Sequence, residues 1–535
     1  MRIEQSTKPH ASHKFRFRQK ERLWVWILAS IGFLSRIALA FCSDGQIASR
    51  PYTEDAFYAF SCARQIALGH GFSVDGVHPT NGVQPLICLL YAPCFWIAND
   101  KWLGLRLTFI VSGLVQFASV ILIGRLLSQL RENTDGVSSL WQSSSVIGAL
   151  LWILLAPLFI QNVNGLETGL VALLILASLS YYSFILKKVA QPFSAAGGTF
   201  SPSHALGFGV LLGLAVLARI DCILLVAAFA LYELRRSRRR SLKAVLLFGL
   251  VAIIVSSPWW IYNYATFGSF MPISGQSEAL GRPIGENILQ SLAAMFDILT
   301  IFFYHAYYSW PTWLTILGFV GIIVFWVIVF RWLGLRQAKA CPTPLMPLVW
   351  YSVAVLVYYV FFFSAPHFMA RYLHPVRVLS VIVFAMILPK LLNSAMRWST
   401  HSLARKSVLI MLLLVAASFS IERYIHCFTA PTTDDFYRLG LWAEAHSGRV
   451  GVEQSGPTNF VSQNVVNLDG KVNPDALAAR KEHQIGAYIA EQRFEYLADW
   501  SPTVTALVKD AAQYGAEYRE IDSVGYVRIY QRVSP

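Results

Sequence analysis

The strongest constraint on this chain is a series of apolar runs, many of membrane-spanning length. They fall at 23–41, 103–127, 145–161, 168–186, 205–218, 221–234, 243–260, 311–330, 345–363, 375–394 and 407–421. A backbone in hydrocarbon must satisfy its own hydrogen bonds, so runs of this kind become helices. Several fall short of the ~20 residues a straight span needs, so hydropathy sets their ends only approximately. With 55% hydrophobic and 14% charged residues and a mean hydropathy of +0.50, the chain reads as a polytopic membrane protein. A soluble enzyme with one anchor would not have this composition. The 16 tryptophans suit interfacial belts. The net charge of +14 does not indicate nucleic-acid binding, because the basic residues sit in short loops between apolar runs.

Those loops set the predicted topology. Arg131, Lys187-Lys188, the Arg235 to Arg240 run, Arg331 with Arg336 and Lys339, and Arg397 with Arg405 and Lys406 belong on the cytoplasmic side. That parity holds only if the apolar segment 85–98, with Pro85 and Pro93, does not cross but lies along the outer interface. Loops 42–102, 162–167, 261–310 and 364–374, and everything after 421, are then outside a bacterial cytoplasmic (inner) membrane, with 287–308 as an amphipathic run on that surface. Ala38-Leu39-Ala40 could mimic a signal-peptidase site, but Arg36 and the spans that follow point to an uncleaved first helix. The seven cysteines form no CxxC pair and are expected to be unpaired and buried, a disulfide among Cys62, Cys88 and Cys94 being the alternative.

The fold class expected is an α-helical polytopic membrane protein of about eleven transmembrane helices with external juxtamembrane helices, followed by a small soluble α/β domain. The domains divide as 1–421, with 42–102 as the first external loop, and 422–535. The second has ordinary charge density, strand-like pieces at 449–452, 465–469 and 525–531, and helical ones at 473–492 and 503–514.

The most informative polar stretch is Tyr52–Leu86, directly after the first span. Thr53 is placed to cap a helix that begins with Glu54 and Asp55, where carboxylates suit the helix dipole. Ala56, Phe60, Ala63 and Ala67 share one face. Gly69 and Gly71 end the helix, and Asp75-Gly76 reads as a tight turn. Glu54 and Asp55 either cap a surface helix or do chemistry. The predicted outer face also carries His70, His78, Asn81, Glu167, Arg219, Asp221, Arg282, His367, Arg371 and His374. Arg219 and Asp221 lie within an apolar run, as a functional pair or as a structural ion pair. Paired carboxylates can take a proton, and arginines with histidines can hold a phosphate. Moving a sugar off a lipid phosphate needs both: a base for the acceptor hydroxyl, and cations where the phosphate departs.

The order of short motifs resembles the GT-C membrane glycosyltransferases. These are Glu54-Asp55-Ala56-Phe57-Tyr58, Gly69-His70-Gly71-Phe72, Asp75-Gly76-Val77-His78-Pro79-Thr80-Asn81-Gly82, Asn164-Gly165-Leu166-Glu167-Thr168, Arg219-Ile220-Asp221, Arg371-Tyr372-Leu373-His374-Pro375 and Val466 through Asn473. The nearest resemblance is to bacterial arabinofuranosyltransferases, and more distantly to protein O-mannosyltransferases and lipid A aminoarabinose transferases. It implies transfer of a hexosyl or pentosyl unit from a polyprenyl-phosphate donor to a cell-envelope glycan, lipid or protein outside the cytoplasm. It implies an acidic residue of the first loop as base; Asp55 is favoured with Glu54 in support, the reverse assignment staying open. Arg371, His374, Arg219 and His78 are the candidates for the donor phosphate, and Glu167, Asn81 and Asp221 for the acceptor cleft. Some relatives use a divalent cation such as Mg or Mn and others do not; a cation here would sit on Glu54 and Asp55. The rival reading is a membrane transporter or lipid flippase, against which no paired interrupted spans related by an inverted repeat are visible.

Overall fold

The structure is a computed structural model that describes residues 8–130, 140, 143–189, 200–237, 241–280, 285–300, isolated positions between 311 and 324, 343–363, 369–395, 402–429 and 434–533. The expected span 311–330 and the candidate residues Arg282 and His367 lie wholly or largely outside these. Among the described residues, Arg18–Leu39, Lys101–Leu130, Thr168–Lys187, Leu242–Phe267 and Ile410–Thr429 are long and apolar enough to cross a membrane. The expected span 145–161 is instead a bent pair, Ser144–Leu154 and Ala156–Val163, turned by 64°. Pro157, in the first turn of the second half, has no N–H to continue the ladder of the first. Shorter helices fill the bundle, among them Met346–Phe361 and His374–Ala395.

Pro202–Ala218 and Ile223–Ser237 form a hairpin whose tip is Arg219–Cys222. The Pro85–Ile97 helix has 13 residues and rises only about 20 Å, too little to cross. It packs between the Glu54–Ala67 helix and Lys101–Leu130.

The first loop folds largely as its residues dictate. The Glu54–Ala67 helix buries Ala56, Phe57, Phe60 and Ala63. Gly69 and Gly71, at φ of 88° and 76°, turn the chain out of it. Thr53 precedes the helix in extended conformation but makes no side-chain cap. Its backbone N–H and its hydroxyl both donate to the carbonyl of Asn164, at 3.1 and 3.3 Å. All six described cysteines are unpaired and buried, so no disulfide joins Cys62, Cys88 or Cys94.

The last apolar helix runs on to Thr429, past the expected boundary at 421, and the next begins at Asp435. From there a five-stranded sheet forms in the order β2-β1-β3-β5-β4. Its strands are β1 Val450–Val452, β2 Val465–Asn467, β3 Tyr496–Trp500, β4 Tyr518–Val524 and β5 Val527–Arg532. β1 pairs in parallel with β2 and β3, whereas β5 runs antiparallel to β3 and β4. Helices cover both faces, one over Val466, Leu497 and Leu507, the other over Val450, Val452 and Ala498. β3 escaped the sequence reading because a strand buried on both faces lacks alternation. The expected helix 473–492 is two, Pro474–Lys481 and Ile485–Gln492, broken at His483, where φ is 58°.

Candidate active site

One cavity of about 450 Å³ gathers Asp55, Tyr58, Glu167, Arg219, Asp221, Glu278, Arg371 and Lys471 at its polar end. The rest of its lining is largely apolar, with Ile223, Leu224, Trp260, Phe270 and Phe363. The polar groups are delivered by several separate elements. Asp55 comes from the first turn of the Glu54–Ala67 helix, and Glu167 from the turn after the bent pair. Arg371 comes from the short Met369–Tyr372 helix, Glu278 from Ile273–Ala279, and Lys471 from the C-terminal domain.

Arg371 is the hub. It donates to Asp55 Oδ2 at 3.2 Å and to both oxygens of Glu167 at 3.2 Å. Burial alone would lower its pKa, but Glu167, Tyr372 and Asp55 hold it above an ordinary arginine. Arg219 stands behind it. Its guanidinium forms a two-pronged pair with Asp221, at 2.9 and 2.7 Å, and donates to the carbonyls of Arg371 and Tyr372. Tyr359 donates to Asp221 at 2.9 Å and stacks on Tyr372 at 4.4 Å. Arg219 and Asp221 are therefore a buried ion pair that shapes the Arg371 segment. Arg219 is committed to it rather than presented to a phosphate, and Asp221 is equally engaged.

Glu54 and Asp55 diverge, as successive residues on a helix must. Asp55 lines the cavity, whereas Glu54 faces the C-terminal domain. With the Gln454 amide oriented to satisfy both groups, its nitrogen donates to the two Glu54 oxygens at 2.5 and 2.8 Å. Burial, and then the charge of Asp55, push the Glu54 carboxyl well above the usual range. The two carboxylates thus do not converge on one ion. Among the described residues no group of three or more His, Cys, Asp and Glu could hold a metal. Glu54 and Asp55 therefore do not form a joint site for a divalent cation such as Mg or Mn.

Four other candidates lie elsewhere. His374 is buried at the start of His374–Ala395, outside the cavity lining, so it does not meet a ligand there. His78 is held in its own loop by Asp75, with Nδ1 2.6 Å from Oδ2, and its Nε2 lies 3.9 Å from Asp475 of the C-terminal domain. Asn81 also stays out of the cavity lining. Its Oδ1 accepts from the Ile273 N–H at 2.9 Å, fixing the segment that carries Glu278. His70 bonds Gln65 at 2.7 Å.

Lys471 and Glu278 carried no role in the sequence reading. Lys471 Nζ lies 2.9 Å from Glu278 Oε1 and 3.7 Å from Asp469 Oδ2. Burial would lower its pKa, but Asp469, Asp55 and Glu278 hold it above an ordinary lysine. The one signal in sequence was its place in the Asp469-Gly470-Lys471 run, which did not say where the domain docks.

No family model matches the chain, and no curated protein sequence matches it. Solved structures do. ArnT from Cupriavidus metallidurans, bound to undecaprenyl phosphate, superimposes with a TM-score of 0.57 at 11% identity, covering 95% of this chain and 97% of that one. An Archaeoglobus fulgidus oligosaccharyltransferase tethered to an acceptor peptide gives 0.54 at 13% identity, covering 96% and 74%. AglB from the same organism, with an inhibitory peptide and a dolichol-phosphate, gives 0.52 at 13% identity over the same shares. At these identities the likeness is one of fold: this chain has the fold of ArnT and of the archaeal oligosaccharyltransferase.

Proposed function

We propose that this protein transfers a monosaccharide, hexosyl or pentosyl, from a polyprenyl-phosphate donor to an acceptor hydroxyl on a cell-envelope glycan, lipid or protein. The reaction takes place on the outer face of the bacterial inner membrane, where the domain after residue 434 also lies. The observation that carries the reading is the meeting of Asp55 and Arg371 in a cavity whose other wall is apolar. A carboxylate 3.2 Å from a guanidinium gives the base and the phosphate cation of a glycosyl transfer in one place.

In this mechanism Asp55 takes the proton of the acceptor hydroxyl as its oxygen attacks the anomeric carbon. The bond from that carbon to the phosphate oxygen breaks, and its electron pair leaves with the phosphate. Arg371 meets the charge that develops there. Glu167, buried behind it, orients the guanidinium through two hydrogen bonds. The Arg219–Asp221 pair fixes the backbone of the same segment, and the apolar wall suits the prenyl chain. ArnT and AglB, with undecaprenyl phosphate and dolichol-phosphate in their structures, fit this donor class. A transporter or flippase would need its polar site reachable from both sides, and here the polar end lies under the C-terminal domain.

The test is transfer in proteoliposomes supplied with a panel of polyprenyl-phosphate sugars. Sugar-dependent release of polyprenyl phosphate is expected. Movement of lipid or sugar across the bilayer without cleavage would overturn the reading.

A further inference from the structure

We propose that Lys471, carried in by the C-terminal domain, is the second cation of the site and takes the departing phosphate together with Arg371. This rests on the glycosyl-transfer reading above. Lys471 lines the same cavity as Asp55 and Arg371, though it comes from a separate folding unit with its own sheet and core. Its position is fixed on both sides of the acid pair. The Lys471 carbonyl sits where a side chain at residue 82 would begin, so only Gly82 fits there. Gly456 meets the Glu54 carbonyl in the same way. Ser277 donates to the Asp469 carbonyl at 2.7 Å, and the Ser455 N–H donates to the Tyr58 hydroxyl at 3.2 Å. These four contacts fix the backbone that carries Lys471, and Glu278 and Asp469 hold its ammonium at 2.9 and 3.7 Å.

Charge balance gives the reason for a second cation. Arg219 and Asp221 neutralise each other, which leaves Asp55, Glu167 and Glu278 of the cavity, with Asp469 beside Lys471, facing Arg371 and Lys471. Arg371 already meets two carboxylates. Without Lys471, four acids would face one cation, and a donor phosphate would add a further negative charge. An ammonium is a compact charge whose three donors rotate. It can exchange the Glu278 carboxylate for a phosphate oxygen without moving the backbone. As the anomeric carbon–oxygen bond breaks, the electron pair passes to the phosphate, and Lys471 and Arg371 share that charge while Asp55 keeps the acceptor's proton. The C-terminal domain is then part of the catalytic apparatus.

The alternative is that the Lys471–Glu278 bridge only clamps the domain to the membrane bundle. Binding of undecaprenyl phosphate and of the uncharged undecaprenol to the full-length protein in nanodiscs separates the two. Lys471→Ala is expected to weaken phosphate binding at least tenfold and to leave the alcohol unchanged, with Lys471→Arg recovering most of the loss. Glu278→Gln removes a competitor for the ammonium and is expected to tighten phosphate binding. A clamp predicts that Lys471→Ala and Glu278→Gln act alike, lowering thermal stability and leaving the ratio of phosphate to alcohol binding untouched. That pattern, or tighter phosphate binding by Lys471→Ala, overturns the proposal. Should Lys471→Ala fail to fold, the direction of the Glu278→Gln effect still decides. If the wild-type protein does not prefer the phosphate to the alcohol, it is the glycosyl-transfer reading that fails, and the role of Lys471 with it.

Discussion

Replacing Asp55 by Asn separates catalysis from architecture because Arg371 has a second anchor. The amide keeps the size of the side chain but cannot take the acceptor's proton. Loss of a general base costs on the order of 10²–10⁴-fold in turnover, or about 2.7–5.4 kcal/mol of transition-state stabilisation. The structural cost is smaller. The Asp55 side chain is 20% exposed, its pair with Arg371 is single and 3.2 Å long, and the amide oxygen of an asparagine can still accept from the guanidinium. Arg371 keeps both hydrogen bonds to Glu167, so the phosphate cation stays in place. The expected result is near-normal thermal unfolding and polyprenyl-phosphate binding, with turnover down at least a hundredfold in proteoliposomes. Glu54→Gln is the control. Its amide resembles the protonated carboxyl that burial favours at this position, so turnover should stay within a few-fold of wild type. Retention of turnover within tenfold by Asp55→Asn would refute the base assignment. A hundredfold loss in Glu54→Gln alone would move that role to Glu54.

Other consequences follow from the same geometry. Asp221→Asn strands the buried Arg219 guanidinium and should lower unfolding stability by about 3–5 kcal/mol in detergent, with activity falling in parallel. Because Asp75 raises the His78 pKa, with Asp475 adding and Arg449 opposing, the protonated form is favoured in the folded state. The contribution is fully present below the unfolded histidine's pKa and is lost as pH rises through the folded one, so thermal stability should fall across that window and flatten in His78→Gln. A cysteine placed by Ala512→Cys, at an exposed helix end of the C-terminal domain, should react with an impermeant reagent in intact spheroplasts. Reaction only after lysis would invert the topology.

Much of the membrane part was legible because hydrocarbon leaves few choices: an apolar run of sufficient length is a helix. Glycines marked where the first loop turns, whereas the break at Pro157 inside the expected span 145–161 was not legible. The pairing of charges was legible only where it is local: Arg219 and Asp221, two residues apart, already offered themselves as an ion pair. Only tertiary packing sends Arg371 to Asp55 and Glu167 and buries His374 out of reach. Local reasoning also assigned Thr53 to its own helix, whereas its hydroxyl is used 111 residues away. Lys471 was hidden for the same reason, since the surface on which a domain docks is written in no single segment.

The bonds from Thr53 to Asn164 bear on how the protein is made. The acid pair is synthesised early, and its helix can pack on Pro85–Ile97 as soon as that helix follows. The backbone ahead of Glu54 is fixed only when the turn at Asn164 arrives, and Asp55 gains its cation only with Arg371. Gly82 and Glu54 meet the backbone that covers them later still, when residues 456 to 471 have been made and folded. A chain halted anywhere before that point carries Asp55, the base of the proposed mechanism, without its enclosure. Under that mechanism the nascent protein stays idle until its sheet domain has closed over the first loop.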